Sequence, residues 1–203
     1  MIVAAFISDR PKELYLDQCR AAFEEYVDFT LISAQQVFYD LDHEHGMAGN
    51  AQRAFDWALE MDADFLLHIE EDMLFERPVP LREMRDVLYD HEHLAQVVLK
   101  RHAWSTAEMA AGGQMETNLG AFTQCSDSKH SWVEHRELFS VNPCLIPSDV
   151  LELKWQVGEG GLERSITDAC LAEGLSFAYY GRIDDPPYVR HIGHVRGGEG
   201  WRW

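Results

Sequence analysis

Phe65-Leu66-Leu67-His68-Ile69 runs without a formal charge, and the next three residues, Glu70-Glu71-Asp72, are all carboxylates. A short apolar run of this length reads as a strand buried on both faces. Such a strand has to end where carboxylates begin, because an unpaired buried charge is very costly. In open α/β sheets the ligand crevice lies outside the carboxyl ends of the strands. Met73-Leu74-Phe75 then returns to apolar residues, so the acids interrupt an apolar stretch and do not continue a charged surface. On its own, the cluster is equally well explained as a charged strand end.

The surrounding pattern supplies the context. Ile2 to Ser8 reads as a buried strand, and Pro11 suits the first turn of the helix that follows. Leu14, Leu16, Cys19, Ala22, Phe23 and Tyr26 fall at helical spacing. Val27 to Ser33 is the second strand expected, and 35–50 reads as loop. Ala51 to Met61 is a helix with Ala54, Phe55, Ala58 and Leu59 on one face. The resulting β-α-β-loop-α-β order predicts an α/β fold with a mainly parallel, Rossmann-type sheet flanked by helices. Further along, a helix runs from Pro80 to about Tyr89, and strands are expected at Gln96 to Lys100, Leu119 to Thr123 and Phe139 to Ile146. A short helix starts at Pro147-Ser148-Asp149. A longer one, Leu162 to Glu173, closes at Gly174 and precedes a last strand, Ser176 to Tyr180. Residues 103–137 carry weak periodicity and read as loops. The tail from Gly181 to Trp203 is rich in Gly, Arg, His and Trp.

Length and charge narrow the classes. The 203 residues suit one domain. A net charge of −18 disfavours binding to bulk nucleic acid or anionic membrane, though modified nucleic acid stays open as an acceptor. No run of about 18 apolar residues is present, so no membrane span is expected. The first residues read as a strand and not as a signal peptide. Cys19, Cys125, Cys144 and Cys170 lie far apart and form no CxxC pair, which argues against a disulfide framework or zinc knuckle and for a cytoplasmic setting.

Glu70 and Asp72 are two apart and on an extended chain share a side. Paired hard oxygens suit Mg²⁺ or Mn²⁺ with positions left open for diphosphate oxygens. At this point the chain resembles a GT-A fold glycosyltransferase, nearest to small family 2-like members. The resemblance rests on Gly49-Asn50-Ala51-Gln52-Arg53-Ala54, the helix to Met61 and FLLHIEEDMLF from Phe65 to Phe75. It also rests on Gly160-Gly161-Leu162-Glu163 ahead of a helix, and on Arg190-His191-Ile192-Gly193-His194. The acidic motif departs from the family's DxD pattern by having Glu at its first position.

The resemblance implies a metal-dependent transfer of a sugar from a nucleotide-diphosphate donor to an acceptor hydroxyl, as a hexosyltransferase performs. A UDP-sugar is favoured, with a GDP-sugar as second choice. Asp72 and His191 become metal ligands with His194 as a further candidate. Glu70 and Glu71 fall to the donor side, Glu70 as a ribose contact or support and Glu71 pointing the other way. The resemblance makes about 1–101 the nucleotide-binding half and about 102–203 the half with the acceptor and a C-terminal metal- and phosphate-binding tail. Ser8, Asp9 and Arg10 after the first strand, Asp40 after the second, Arg53, Arg190 and Arg196 are the remaining donor-site candidates. Glu163 stands where an inverting member carries its base. Gly161 and Trp155 are expected on the acceptor side. Trp132, Trp201 and Trp203 are more ordinary core aromatics, and His68 a core histidine. His43, His45, His91, His93, His102, His130 and His135 lack ligand spacing. Three other readings compete. A nucleotidyltransferase would want glycines after the first strand, which FISDRPKEL lacks. A catalytically inactive nucleotide-sugar binding or scaffold protein fits the Glu in the motif. A metal-dependent phosphoesterase would need more Asp and His ligands.

Overall fold

In the computed structural model, residues 1–8, 14–40, 46–102, 118–156 and 161–193 are described. The strands are β1 (Ile2–Ser8), β2 (Ile32–Tyr39), β3 (Phe65–Glu70), β4 (Met73–Phe75), β5 (Leu94–Val98), β6 (Thr123–Ser126), β7 (Ser131–His135), β8 (Cys144–Pro147), β9 (Ser176–Tyr180) and β10 (Val189–His191). The helices are α1 (Leu14–Tyr26), α2 (Gly46–Glu60), α3 (Leu81–Asp90), α4 (Ser148–Leu151) and α5 (Gly161–Ala172). Eight strands form one sheet in the order β2-β1-β3-β8-β5-β9-β7-β6, and β10 pairs with β4 in a separate ribbon. β1 is parallel to β2 and β3, and β5 is parallel to β9. β8 runs antiparallel between β3 and β5, and β7 runs antiparallel to β9 and β6. The sheet is thus mostly parallel in direction but mixed in its pairings.

Side-chain alternation divides the core into two layers. Ile2, Ala4 and Phe6 of β1 pack with Phe65, Leu67 and Ile69 of β3 against α1 and α3, through Leu16, Cys19, Phe23, Leu81, Met84 and Leu88. Val3, Ala5 and Ile7 pack with Leu66 on the opposite face against α2, α4 and α5, through Ala54, Phe55, Ala58, Leu151 and Ile166. Every residue of β1 and the first five of β3 are buried, which is why both read as unbroken apolar runs.

Several boundaries differ from the sequence reading. Val27 to Ser33 does not form the second strand. Asp28 accepts the Thr30 N–H at 3.0 Å and caps a 3₁₀ turn over Phe29–Leu31, and β2 begins only at Ile32. β2 is the sheet's outer strand, with polar and half-buried positions, so its ISAQQVFY sequence lacks a continuous apolar signal. The stretch 35–50 is therefore not all loop. It completes β2 and opens α2, five residues ahead of the expected Ala51. Leu119–Ala121 is a 3₁₀ turn, and the strand expected there starts at Thr123. Phe139 to Val141 are not strand, and β8 starts at Cys144. The tail contributes β10. Gly174, at φ +82°, ends α5 as the sequence implied. Among the described residues no helix is long and apolar enough to cross a membrane.

Candidate active site

The carboxyl ends of β1, β2 and β3 lie side by side, and polar side chains tie them together. Ser8 closes β1 opposite Tyr39 of β2. Its carbonyl accepts the Asp40 N–H at 3.0 Å and the Asn50 amide at 3.4 Å. Its hydroxyl donates to Glu71 Oε2 at 2.5 Å. The Glu71 N–H in turn donates to the Ile7 carbonyl at 3.0 Å. Asn50, wholly buried in α2, also donates to the Phe38 carbonyl at 3.5 Å. This amide therefore bridges the ends of β1 and β2, a task that no residue-level signal beyond its place in the matched stretch announced.

β3 ends at Glu70, and the chain turns through Glu71 and Asp72 into β4. The extended-chain argument that put Glu70 and Asp72 on one side fails at this turn. Glu70 follows Leu66 and His68 toward the α2 and α5 layer, and the Cys144 thiol of that layer feels its charge. Glu71 and Asp72 are instead close to Cys19 of α1. Burial pushes that thiol up strongly, and the charges of Asp72 and Glu71 add to the shift.

Asp72 meets His191 across the ribbon. β4 and β10 pair with Met73 opposite His191 and Phe75 opposite Val189. The Ile192 N–H donates to the Asp72 carbonyl at 2.8 Å. His191 Nε2 lies 3.2 Å from Asp72 Oδ2, and both side chains are about nine-tenths buried, at 9% and 11% exposure. Gly193 presses on the same carboxylate: a Cβ there would fall 2.0 Å from Asp72 Oδ2 and 3.1 Å from His191 Nε2. Only hydrogen fits. The Asp72–His191 separation is an ion-pair or hydrogen-bond distance, and it brings together two side chains that could both serve a divalent ion. A carboxylate with an imidazole is an acceptable donor set for Mn²⁺. Among the described residues no group of three or more His, Cys, Asp or Glu side chains is arranged to hold a metal. Substrate oxygens or ligands beyond those residues would have to complete the shell.

Glu163 lies in the first turn of α5 and accepts the Val141 N–H at 3.0 Å. Burial raises its pKa above the usual carboxylate range, against the pull of the Val141 N–H and the Arg101 charge. The Cys144 thiol is pushed up by burial first, then by the charges of Glu70 and Glu163. Both charges therefore act on one thiol where β3 meets β8. Arg101, three residues past β5, faces Glu163 electrostatically and was absent from the sequence-level candidates.

Other candidates are placed elsewhere or already engaged. Asp40 is buried and accepts the Gly46 N–H at 2.6 Å, which anchors the start of α2. Arg53 donates to the Tyr39 carbonyl at 3.0 Å and to Asn50 Oδ1 at 2.8 Å. Arg190 pairs with Glu76 at 2.8 Å, and Glu76 also meets His102 Nε2 at 2.6 Å. Gly161 takes φ +79° at the start of α5. Trp155 packs edge-on against Phe55 of α2, with ring centres 6.2 Å apart. It lines a shallow groove with Gln52, Asp56 and Lys154. Asp9, Arg10, His194 and Arg196 lie outside the described residues.

No protein-family model matches the chain, and no curated protein matches it. Solved structures do. S. aureus TarS 1-349 in complex with UDP-GlcNAc aligns with a TM-score of 0.59 at 11% identity, over 94% of this chain and 58% of TarS. A197 from STIV aligns with a TM-score of 0.56 at 14% identity, over 89% of this chain and 82% of A197. This chain accordingly spans little more than half of the TarS chain but most of A197. At these identities the likeness establishes the fold alone. The TarS match supports the GT-A-like architecture expected from the sequence.

Proposed function

We propose that the protein is a metal-dependent glycosyltransferase that moves a sugar from a nucleotide-diphosphate donor to an acceptor hydroxyl. The observation that carries this reading is the buried Asp72–His191 pair, set by the β4–β10 ribbon just past the carboxyl end of β3. The fold shared with TarS, whose structure holds UDP-GlcNAc, favours a UDP-sugar over a GDP-sugar. Asp72 and His191 would hold Mn²⁺ or Mg²⁺, with His194 as a further ligand. The ion would supply positive charge against the departing diphosphate.

The chain's own residues supply the rest. Glu71, whose carboxylate accepts from the Ser8 hydroxyl at the end of β1, would serve the donor's ribose. In this reading the acceptor hydroxyl would approach Glu163, with the Glu70 carboxylate in support. Glu163 takes the acceptor proton, and its raised pKa makes it a stronger base once ionised. Arg10 and Arg196 add charge opposite the phosphates. Gly161 and Trp155 stand on the acceptor side.

Turnover of a UDP-sugar panel tests the assignment. Hydrolysis or transfer should require Mn²⁺ or Mg²⁺. It should disappear in Asp72→Ala and persist in Lys129→Ala, an exposed control. Activity in Asp72→Ala equal to wild type would overturn it. A second reading, a nucleotide-sugar binding protein without transfer, is favoured by Arg53 and Arg190 being engaged with protein groups. Metal-dependent binding with no turnover on any acceptor would select it.

A further inference from the structure

Lys100 is a lysine with only 8% of its surface exposed, two residues past the end of β5. Its ammonium donates to three main-chain carbonyls, those of Arg182 at 2.9 Å, Ile183 at 2.6 Å and Asp185 at 2.7 Å. An ammonium has three N–H donors and no acceptor, and these three main-chain carbonyls are among its partners. All three belong to the loop between β9 and β10. Loops do not commonly turn consecutive carbonyls inward, because those groups then lose water. Here the cation is what makes the inward turn tenable.

The rest of the loop is built around that cage. The Gly181 N–H donates to the Ser131 carbonyl at 2.8 Å, and the Ile183 N–H to Gln124 Oε1 at 2.9 Å. The Arg182 N–H donates to Asp185 Oδ2 at 2.7 Å. Gly181 takes φ +90°, and a Cβ there would meet that carboxylate oxygen at 2.6 Å. On leaving the cage the chain zips onto Lys100 and its neighbours. The Tyr188 N–H donates to the Lys100 carbonyl at 2.7 Å, and the His102 N–H to the Val189 carbonyl at 2.9 Å. Val189 then pairs with Phe75, and His191 with Met73.

We propose that Lys100 is a positioning residue for the metal pair: its ammonium fixes the 181–188 loop so that β10 delivers His191 to Asp72. The proposal rests on the glycosyltransferase reading for its purpose, but its mechanical part stands apart from it. Lys100 touches neither Asp72 nor His191, so its effect travels through the main chain of residues 181–191. Outer groups that orient a ligand commonly change metal affinity by about 10–100-fold.

The test uses Lys100→Met, which keeps length and removes the donors, and Lys100→Arg, whose planar fork cannot address three converging carbonyls. Amide hydrogen exchange of the metal-free full-length protein is read first. Lys100→Met should speed exchange at Val189 and Ile192 by about tenfold or more, with the amides of β1 and β3 unchanged. Lys100→Arg should not restore protection. Lys100→Ala should regain it with propylammonium, which replaces the atoms removed. Mn²⁺ titration with UDP present is read second, and affinity should fall by about tenfold. Unchanged exchange at 189–192 in Lys100→Met overturns the proposal whatever the metal does. Loosened exchange in a protein whose wild type binds no Mn²⁺ leaves the Lys100 clamp standing and removes the glycosyltransferase reading. Uniform loss of protection across β1 and β3 contradicts the proposal, because it makes Lys100 a general stability residue.

Discussion

At the level of single residues, Gly193 and Glu163 make the sharpest claims. Gly193→Ala puts a methyl group against the end of the short Asp72 side chain. That carboxylate can swing aside without moving the backbone, so the fold should survive while the Asp72–His191 geometry does not. Thermal melting should shift little, and Mn²⁺ affinity should drop by about tenfold or more, as for lost ligand orientation. Calorimetry with and without Mn²⁺ separates the two. Glu163→Gln keeps an oxygen for the Val141 N–H and removes the charge. The native pKa of Glu163 is raised, so its ionisation costs folding stability at neutral pH, and that cost vanishes as pH falls through the carboxylate range. The variant should therefore melt higher than wild type at pH 7 and converge with it in acid. Its transfer rate should fall by about 10²–10⁴-fold, as expected for loss of a general base.

What the sequence disclosed at this scale follows from side-chain chemistry. Three acids after an apolar run are visible in one line of text, and the structure brings Asp72 to His191, the two residues expected from the resemblance as metal ligands, a role that is here a proposal. The ranking of the acids needed the turn at Glu71–Asp72, which an extended-strand reading could not contain. Arg101 and Lys100 were passed over because a Lys-Arg pair after a strand looks like ordinary surface charge. The loop that folds back from residue 181 gives Lys100 its carbonyl partners, and the start of α5 sets Glu163 toward Arg101.

Among the elements, the β4–β10 ribbon decides the site, and it was the least legible. Both strands are three residues long and pair across more than a hundred positions of sequence. No periodicity exists in so short a run. By contrast, β1, β3 and β9 announced themselves through buried apolar runs. β2 was displaced because an outer strand exposes one edge and tolerates Gln35 and Gln36. The hairpin of β6 and β7 lay hidden in a polar stretch for the same reason. The ribbon also makes a prediction about Arg190, which Glu76 shares with His102. Both partners are half exposed, so Glu76→Ala should cost less than about 1 kcal/mol in stability. If Arg190 serves the diphosphate, its release should leave nucleotide affinity unchanged or higher. A fall in affinity, measured by titration with UDP and Mn²⁺, would assign Glu76 itself a part in binding.

For the molecule as a whole, two buried histidines set the response to acid. Burial holds His68 down to about 4 and His135 also to about 4, the latter against an opposing pull from Glu134. In the unfolded chain both titrate near about 6.5. The unfolded state thus binds more protons between these values, and the histidines' contribution to stability is present above about 6.5 and lost as pH falls toward 4. Melting temperature should decline over that window, and the slope should be shallower in His135→Phe. A profile flat from pH 7 to 4 in wild type would contradict the burial of both rings. The overall α/β architecture was readable from the β-α-β order and is shared with TarS and A197. The antiparallel insertion of β8 between β3 and β5 was not, since orientation in a sheet leaves no mark on a four-residue apolar run.

The central claim, that this sheet end binds a nucleotide diphosphate through a metal held by Asp72 and His191, meets its most direct test in isothermal titration of UDP into the full-length protein. Binding should appear with Mn²⁺, vanish with a chelator and be lost in both Asp72→Ala and His191→Ala while their melting curves stay cooperative. UDP binding of equal strength in wild type and both variants, with or without Mn²⁺, would contradict it.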